Sequence, residues 1–123
     1  MTPGELQRHC LAKPGAWPDN PWDHEHPVIK VGEAPAAGKI FAFLGDRSVG
    51  VKAGTDREQA DEWLARYPDD AAVMAYIGRS GWNTLMVGGA IPDDEILAAV
   101  DDSYALVVSR LPRKHRPVGW DRA

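Results

Sequence analysis

Along this chain the apolar positions switch between a helical period and strict alternation, and the switches mark out the elements. Thr2-Pro3-Gly4-Glu5 reads as a helix start: Thr2 as N-cap, Pro3 at the first helical position, Glu5 completing a capping box. That helix runs to about Ala12 and is ended by Pro14-Gly15. Residues 13–21, rich in Pro, Gly, Trp, Asp and Asn, read as a connection. From Trp22 to Leu44 the period becomes two. Ile29 and Val31 alternate with Val28 and Lys30, and Ile40, Ala42 and Leu44 alternate with Phe41 and Phe43 after a Gly/Pro/Ala-rich turn at 32–38. Gly45-Asp46-Arg47-Ser48 then predicts a hairpin connection, with Val49 and Val51 pointing one way and Lys52 the other. Three strands in a meander is the simplest reading.

Helical spacing returns after Thr55, a second N-cap with Glu58 three positions on, and Ala60, Trp63, Leu64 and Tyr67 make an apolar face. Ala71–Ile77 and Trp82–Val87 are apolar segments joined by Gly78-Arg79-Ser80-Gly81, which predicts a second hairpin. A third helix carries Ile96, Leu97, Val100, Tyr104, Val107, Val108 and Leu111 on one stripe. Asp93, Asp94 and Glu95 sit at its positive dipole end and Arg110 at its negative end. Asp101-Asp102-Ser103 predicts a kink or restart within it, and residues 117–123 a loose tail onto which Trp120 could dock. The predicted order is α-β-β-β-α-β-β-α: a two-layer α+β fold, with an antiparallel five-stranded sheet covered by helices on one face. Residues 1–116 form a single domain in this reading.

Composition agrees with one ordinary globular domain: 123 residues, 44% hydrophobic and 26% charged. No apolar run is long enough to cross a bilayer, and Met1–Glu5 lacks the basic and apolar regions of a secretory signal. Cys10 is the lone cysteine, so no internal disulfide can form and a reducing cytoplasm is the expected compartment. Cys10 reads as a buried thiol. A monomer is expected. The net charge of -4, from 14 basic and 18 acidic residues, argues against indiscriminate nucleic-acid binding. The charge is nevertheless uneven. Residues 55–70 are acidic, whereas 110–116 hold Arg110, Arg113, Lys114 and Arg116 and no acidic side chain.

Candidate chemistry is sparse. His24 and His26 would share a face of a strand and could meet one ion, but no further ligands stand at metal-site spacing, so no metal is assigned. Gly78-Arg79-Ser80-Gly81 lacks the spacing of a nucleophile elbow, and Gly88-Gly89-Ala90 lacks that of a phosphate-binding loop. Asp93, Asp94 and Glu95 are explained by helix N-terminal preference. Trp63 and Trp82 read as core, and Trp17 and Trp22 as covers for the sheet edge; base stacking is not assigned to them. What remains is the basic cluster. It reads either as a solvated helix C-terminus or as a phosphate-contacting patch, extended by Lys39 and Arg79.

Lys30-Val31, Gly38-Lys39-Ile40-Phe41-Ala42, Gly50-Val51-Lys52, Gly81-Trp82, Ile91-Pro92-Asp93-Asp94-Glu95-Ile96, Ser103-Tyr104 and Leu111-Pro112-Arg113-Lys114, in that order, resemble the MmcQ/YjbR family over residues 5 to 116. The resemblance implies a small cytoplasmic bacterial domain with a CyaY-like or secretion-chaperone-like fold. It also implies DNA binding by a double-wing motif, with no catalytic residue and no cofactor. The acidic total and the His-rich segment 21–27 depart from the family's pattern.

The leading expectation is therefore a non-enzymatic DNA-binding protein. Lys39, Lys52, Arg79, Arg110, Arg113, Lys114 and Arg116 would contact phosphates, the 78–81 hairpin would be one approaching wing, and Trp82 and Tyr104 would pack. One rival is a protein-interaction module binding a peptide or subunit on its open sheet face, which an unbroken apolar patch there would favour. A third reading is a small-ligand pocket between the sheet and the 13–27 connection.

Overall fold

The computed structural model describes residues 1–33 and 38–122. Most of the predicted 32–38 turn lies outside the described residues. Helix α1 (Pro3–Leu11) starts as expected, with the full Thr2–Glu5 capping box formed. Strands β1 (Ala16–Asp19), β2 (Val28–Val31), β3 (Lys39–Leu44) and β4 (Ser48–Lys52) follow, then α2 (Arg57–Arg66), β5 (Ala71–Val73), β6 (Trp82–Met86) and α3 (Asp93–Ser109). All strand pairs are antiparallel, in the order β1-β2-β3-β4-β6-β5. Leu6 and Cys10 of α1 and the Ile96–Leu111 stripe of α3 bury one face of the sheet, and Trp63, Leu64 and Tyr67 pack against the same core.

The sheet thus has six strands, not five. The additional strand, β1, lies in the segment expected to be a connection. It has no alternation of its own and contains Pro18, which a strand tolerates only at a sheet edge. It is held from outside. Asp19 pairs with Lys30 at 2.7 Å, and the Trp17 indole donates to the Gly32 carbonyl at 2.8 Å. Two further boundaries differ. Asp56, not Thr55, caps α2 by accepting from the Gln59 amide, while the Thr55 amide donates to the Gln59 side chain. The apolar segment Ala71–Ile77 is a strand only over Ala71–Val73. The predicted hairpin tip is a 3₁₀ turn at Gly78–Ser80 that ends on Gly81 at φ 98. The Arg57 guanidinium accounts for that turn, donating to the carbonyls of Gly78 at 2.7 Å and Trp82 at 3.1 Å.

The alternation expected in β3 is broken by a bulge. Ile29 pairs with Ala42 but Lys30 pairs with Ile40, so Phe41 is the extra residue. Phe41 and Ala42 are both fully buried, with Phe41 edge-on to the Tyr104 ring at 5.2 Å. Ile40 and Phe43 consequently share the opposite face. A bulged residue leaves ladder groups unpaired, and here the Phe41 carbonyl accepts from the buried Ser103 hydroxyl at 2.7 Å. The Ser103 hydroxyl oxygen in turn accepts from the Lys52 amide at 2.9 Å, so one side chain ties α3 to β3 and β4.

This explains why α3 neither kinks nor restarts at residues 101–103. It runs unbroken for 17 residues, with Ser103 directed into the core and Asp101 outward to Lys13 at 2.6 Å and His9 at 2.8 Å. Beyond it, Trp120 docks on the core within the tail expected to be loose. Tyr104 reaches the Pro14 carbonyl at 2.6 Å through its hydroxyl. Ser103→Ala leaves a buried carbonyl and a buried amide without partners, and should cost about 2–3 kcal/mol in urea unfolding. A loss within roughly 0.5 kcal/mol would show that the bulge does not depend on this hydroxyl.

Candidate functional site

The bulge creates a cleft. Ile40 and Phe43 turn toward the face that no helix covers, beside Lys30 of β2, Lys52 at the end of β4 and Trp82 at the start of β6. Gly50 lets Met74 and Phe43 pack over β4: a Cβ at this position would stand 2.9 Å from the Met74 sulfur and 3.1 Å from the Phe43 Cβ. Phe43 meets Trp82 edge-on at 5.6 Å. Around the end of the sheet, Val107, Arg110, Leu111 and Pro112 close the side belonging to α3, and Trp22 stands at the mouth, 57% exposed. The cleft encloses about 670 Å³, within the range of small-ligand sites. Four cations line it, and among the described lining residues there is no Asp or Glu.

The seven basic residues singled out from the sequence separate into distinct environments. Lys39 and Arg110 are exposed and line the cleft. Arg79, Arg113 and Lys114 are exposed, and Arg79 and Arg113 are the chain neighbours of the lining residues Ser80 and Pro112. Arg116 is committed elsewhere. Its guanidinium donates to the carbonyls of Leu111 at 2.9 Å and Ser109 at 2.7 Å, and lies over the Trp120 ring at 5.8 Å. It therefore caps α3, satisfying carbonyls that a helix end leaves without partners.

Lys52 lines the cleft but is almost wholly buried. The residue is 4% exposed, and its ammonium donates to the Ser80 carbonyl at 2.5 Å with no carboxylate partner among the described residues. Burial, together with the nearby charge of Arg110, lowers its pKa below the ordinary lysine value. Lys30, absent from the sequence-based set, also lines the cleft, but its charge is matched by Asp19 at 2.7 Å. The sequence reading takes Trp82 as core and Trp22 as a cover for the sheet edge, whereas both line the cleft together with Phe43. No local pattern marks Trp22 as part of a cleft, and the placement of Ile40 and Phe43 on one face depends on the bulge.

The remaining sequence candidates are structural or dispersed. Cys10 is fully buried, and burial and Asp101 push its thiol up to about 12. His24 and His26 do not lie on a strand and do not converge. His24 meets Trp22 edge-on at 6.1 Å, and His26 contacts Asp46 at 2.6 Å, with Glu25 nearby in an exposed group. Glu95 accepts from the Tyr67 hydroxyl and from Arg66, which holds its carboxyl below the ordinary range. No described helix is long and apolar enough to cross a membrane.

Removing the buried charge should stabilise the fold. Lys52 binds fewer protons folded than unfolded between its lowered pKa and the ordinary value of 10.5, so its contribution is unfavourable at neutral pH and eases as pH rises. Lys52→Met should therefore raise Tm at pH 7 by about 4 °C, equivalent to ~1 kcal/mol, with a smaller gain near pH 10. A lowered Tm at both pH values would mean that the ammonium is matched within the chain.

Comparison with known proteins places this architecture. The family model described as YjbR matches residues 11–106. The chain is 31% identical over 118 residues to "Uncharacterized protein YjbR" of Escherichia coli (strain K12), covering 94% of this chain and 95% of that protein. The same figures hold for its counterpart in Escherichia coli O157:H7. The crystal structure of Deinococcus radiodurans protein DR2400, of family-model domain DUF419, superposes with a TM-score of 0.82 at 24% identity, over 94% of this chain and 85% of that one, a likeness of fold. An α+β domain matched by the family model over most of its length, and by a relative along nearly all of it, belongs to the YjbR family.

Proposed function

We propose that this protein is a non-enzymatic, cytoplasmic DNA-binding protein, and that its target is an unpaired strand rather than an intact duplex. The observation that carries this reading is a carboxylate-free cleft in which cations and aromatic rings share one wall. Lys39, Arg79, Arg110, Arg113 and Lys114 supply phosphate contacts at its margin, and Trp22, Phe43 and Trp82 offer ring faces and edges within it. Cationic grooves with interleaved aromatics bind single strands because every base has a π-face. Stacked bases inside a duplex cannot reach rings set in a concave site.

The 78–81 turn supports the same choice. It is a short 3₁₀ turn, and carbonyls in and beside it are already taken by Arg57 and Lys52. A wing entering a groove would need a longer, freer hairpin. The protein-interaction rival draws less support, since the uncovered face carries Lys30 and Lys52 among its apolar side chains rather than an unbroken apolar patch.

Binding to an unphosphorylated octathymidylate should weaken steeply with salt. Single strands give a log–log slope of about −0.7 per phosphate contact, so five contacts correspond to about −3.5. The triple variant Lys39→Ala/Arg110→Ala/Arg113→Ala should flatten it by about 2, and a duplex of equal length should bind more weakly. Absent binding at about 50 mM salt, or affinity indifferent to salt, would remove phosphate contact as the function.

A further inference from the structure

We infer that the floor of the cleft is a terminal-phosphate site, which takes the phosphomonoester at the end of a DNA strand with Lys52 and Arg110 as its two cations. This rests on the cleft being the strand-binding site. Lys52 is the observation that demands it. An ammonium on a residue 96% removed from solvent is costly unless a countercharge meets it, and Lys52 has only the Ser80 carbonyl. The second cation adds to the cost instead of relieving it, because Arg110 lies close enough to disfavour the charge on Lys52. Two cations near each other, with no Asp or Glu among the described lining residues, make a site that is incomplete without an anion from outside.

The charge and shape of the site select the kind of anion. A phosphodiester carries one negative charge and continues into the chain on both sides, so it cannot send its free oxygens to a buried ammonium without drawing both flanking nucleotides in. A phosphomonoester has a single stem, three free oxygens and a charge of about −1.5 to −2 at pH 7. It can reach the floor and match both cations. The nucleotide that bears it then lies along the wall formed by Phe43 and Trp82, whose edge-on contact at 5.6 Å leaves ring surface bordering the cleft, with Trp22 at the mouth. The same arrangement turns the instability contributed by Lys52 into selectivity, since only a ligand reaching the floor neutralises it.

The test compares octathymidylates carrying a 5′-phosphate, a 3′-phosphate or no phosphate, at pH 7.5 and fixed ionic strength, by tryptophan fluorescence titration. One phosphorylated end should bind at least roughly tenfold more tightly than the unphosphorylated strand, the effect expected of charge-assisted bonds to a buried cation. Which end shows the gain identifies the terminus. Lys52→Met should abolish the gain, and its unfolding curve establishes that the variant is folded. Equal affinity for all three strands, with salt-dependent binding intact, overturns the terminal site and leaves strand binding standing. A gain that survives in Lys52→Met also overturns it. Failure of every strand to bind at low salt overturns both readings together.

Discussion

The bulge at Phe41, held by the hydroxyl of Ser103, is the constraint on which the rest of this structure depends. One extra residue in β3 sends Phe41 and Ala42 together into the core and turns Ile40 and Phe43 together to the opposite face. Without it, Phe41 would leave the Tyr104 ring and the cleft would lose one wall. The bulge needs a hydrogen-bond partner for its carbonyl, and Ser103 provides that from the middle of α3 while accepting the Lys52 amide. Helix, core and cleft are therefore fixed by one buried side chain. The placement of Lys52 follows from the same knot: its amide is anchored to α3, and its side chain passes beneath Ser80.

Charge is partitioned in a way the net value of -4 conceals. Several acidic side chains on the helices and loops have local partners: Glu95 with Tyr67 and Arg66, Asp101 with Lys13 and His9, and Asp70 with the Ala90 amide. The cleft has cations without such partners. An acidic protein can thus present a concave positive site, and low-dielectric walls strengthen the field inside it. The acidic remainder disfavours loose association with any polyanion, so the binding proposed for this protein would be confined to the cleft.

Helices were the legible part of the sequence, because their signals are local. The Thr2–Glu5 box, the α3 stripe and the acidic start of α3 all formed as read. What local pattern could not carry was anything set by a distant partner. Strand β1 exists because β2 pairs with it and Trp17 and Asp19 find partners there. The bulge exists because Ser103, 62 positions away, accepts its consequences. The basic residues illustrate the same boundary. Lys39 and Arg110 meet in one site as an electrostatic reading of the sequence would have them, yet Arg116 spends its donors on α3 and Lys52 is buried. Trp22 and Phe43, which complete the cleft, carried no signal of their own beyond being aromatic.

The most direct test of the cleft as the strand-binding site is an amide and indole chemical-shift titration with a short single strand. The five tryptophans report on distinct regions: Trp22 and Trp82 line the cleft, Trp17 borders it beneath Lys30 and against Gly38, and Trp63 and Trp120 belong to α2 and the tail. The indole signals of Trp22 and Trp82 should shift on binding, with the amides of Lys39, Lys52, Ser80 and Arg110, while those of Trp63 and Trp120 stay in place. Shifts centred on α1, α2 or the Trp120 turn, with the Trp22 and Trp82 indoles unmoved, would contradict the account.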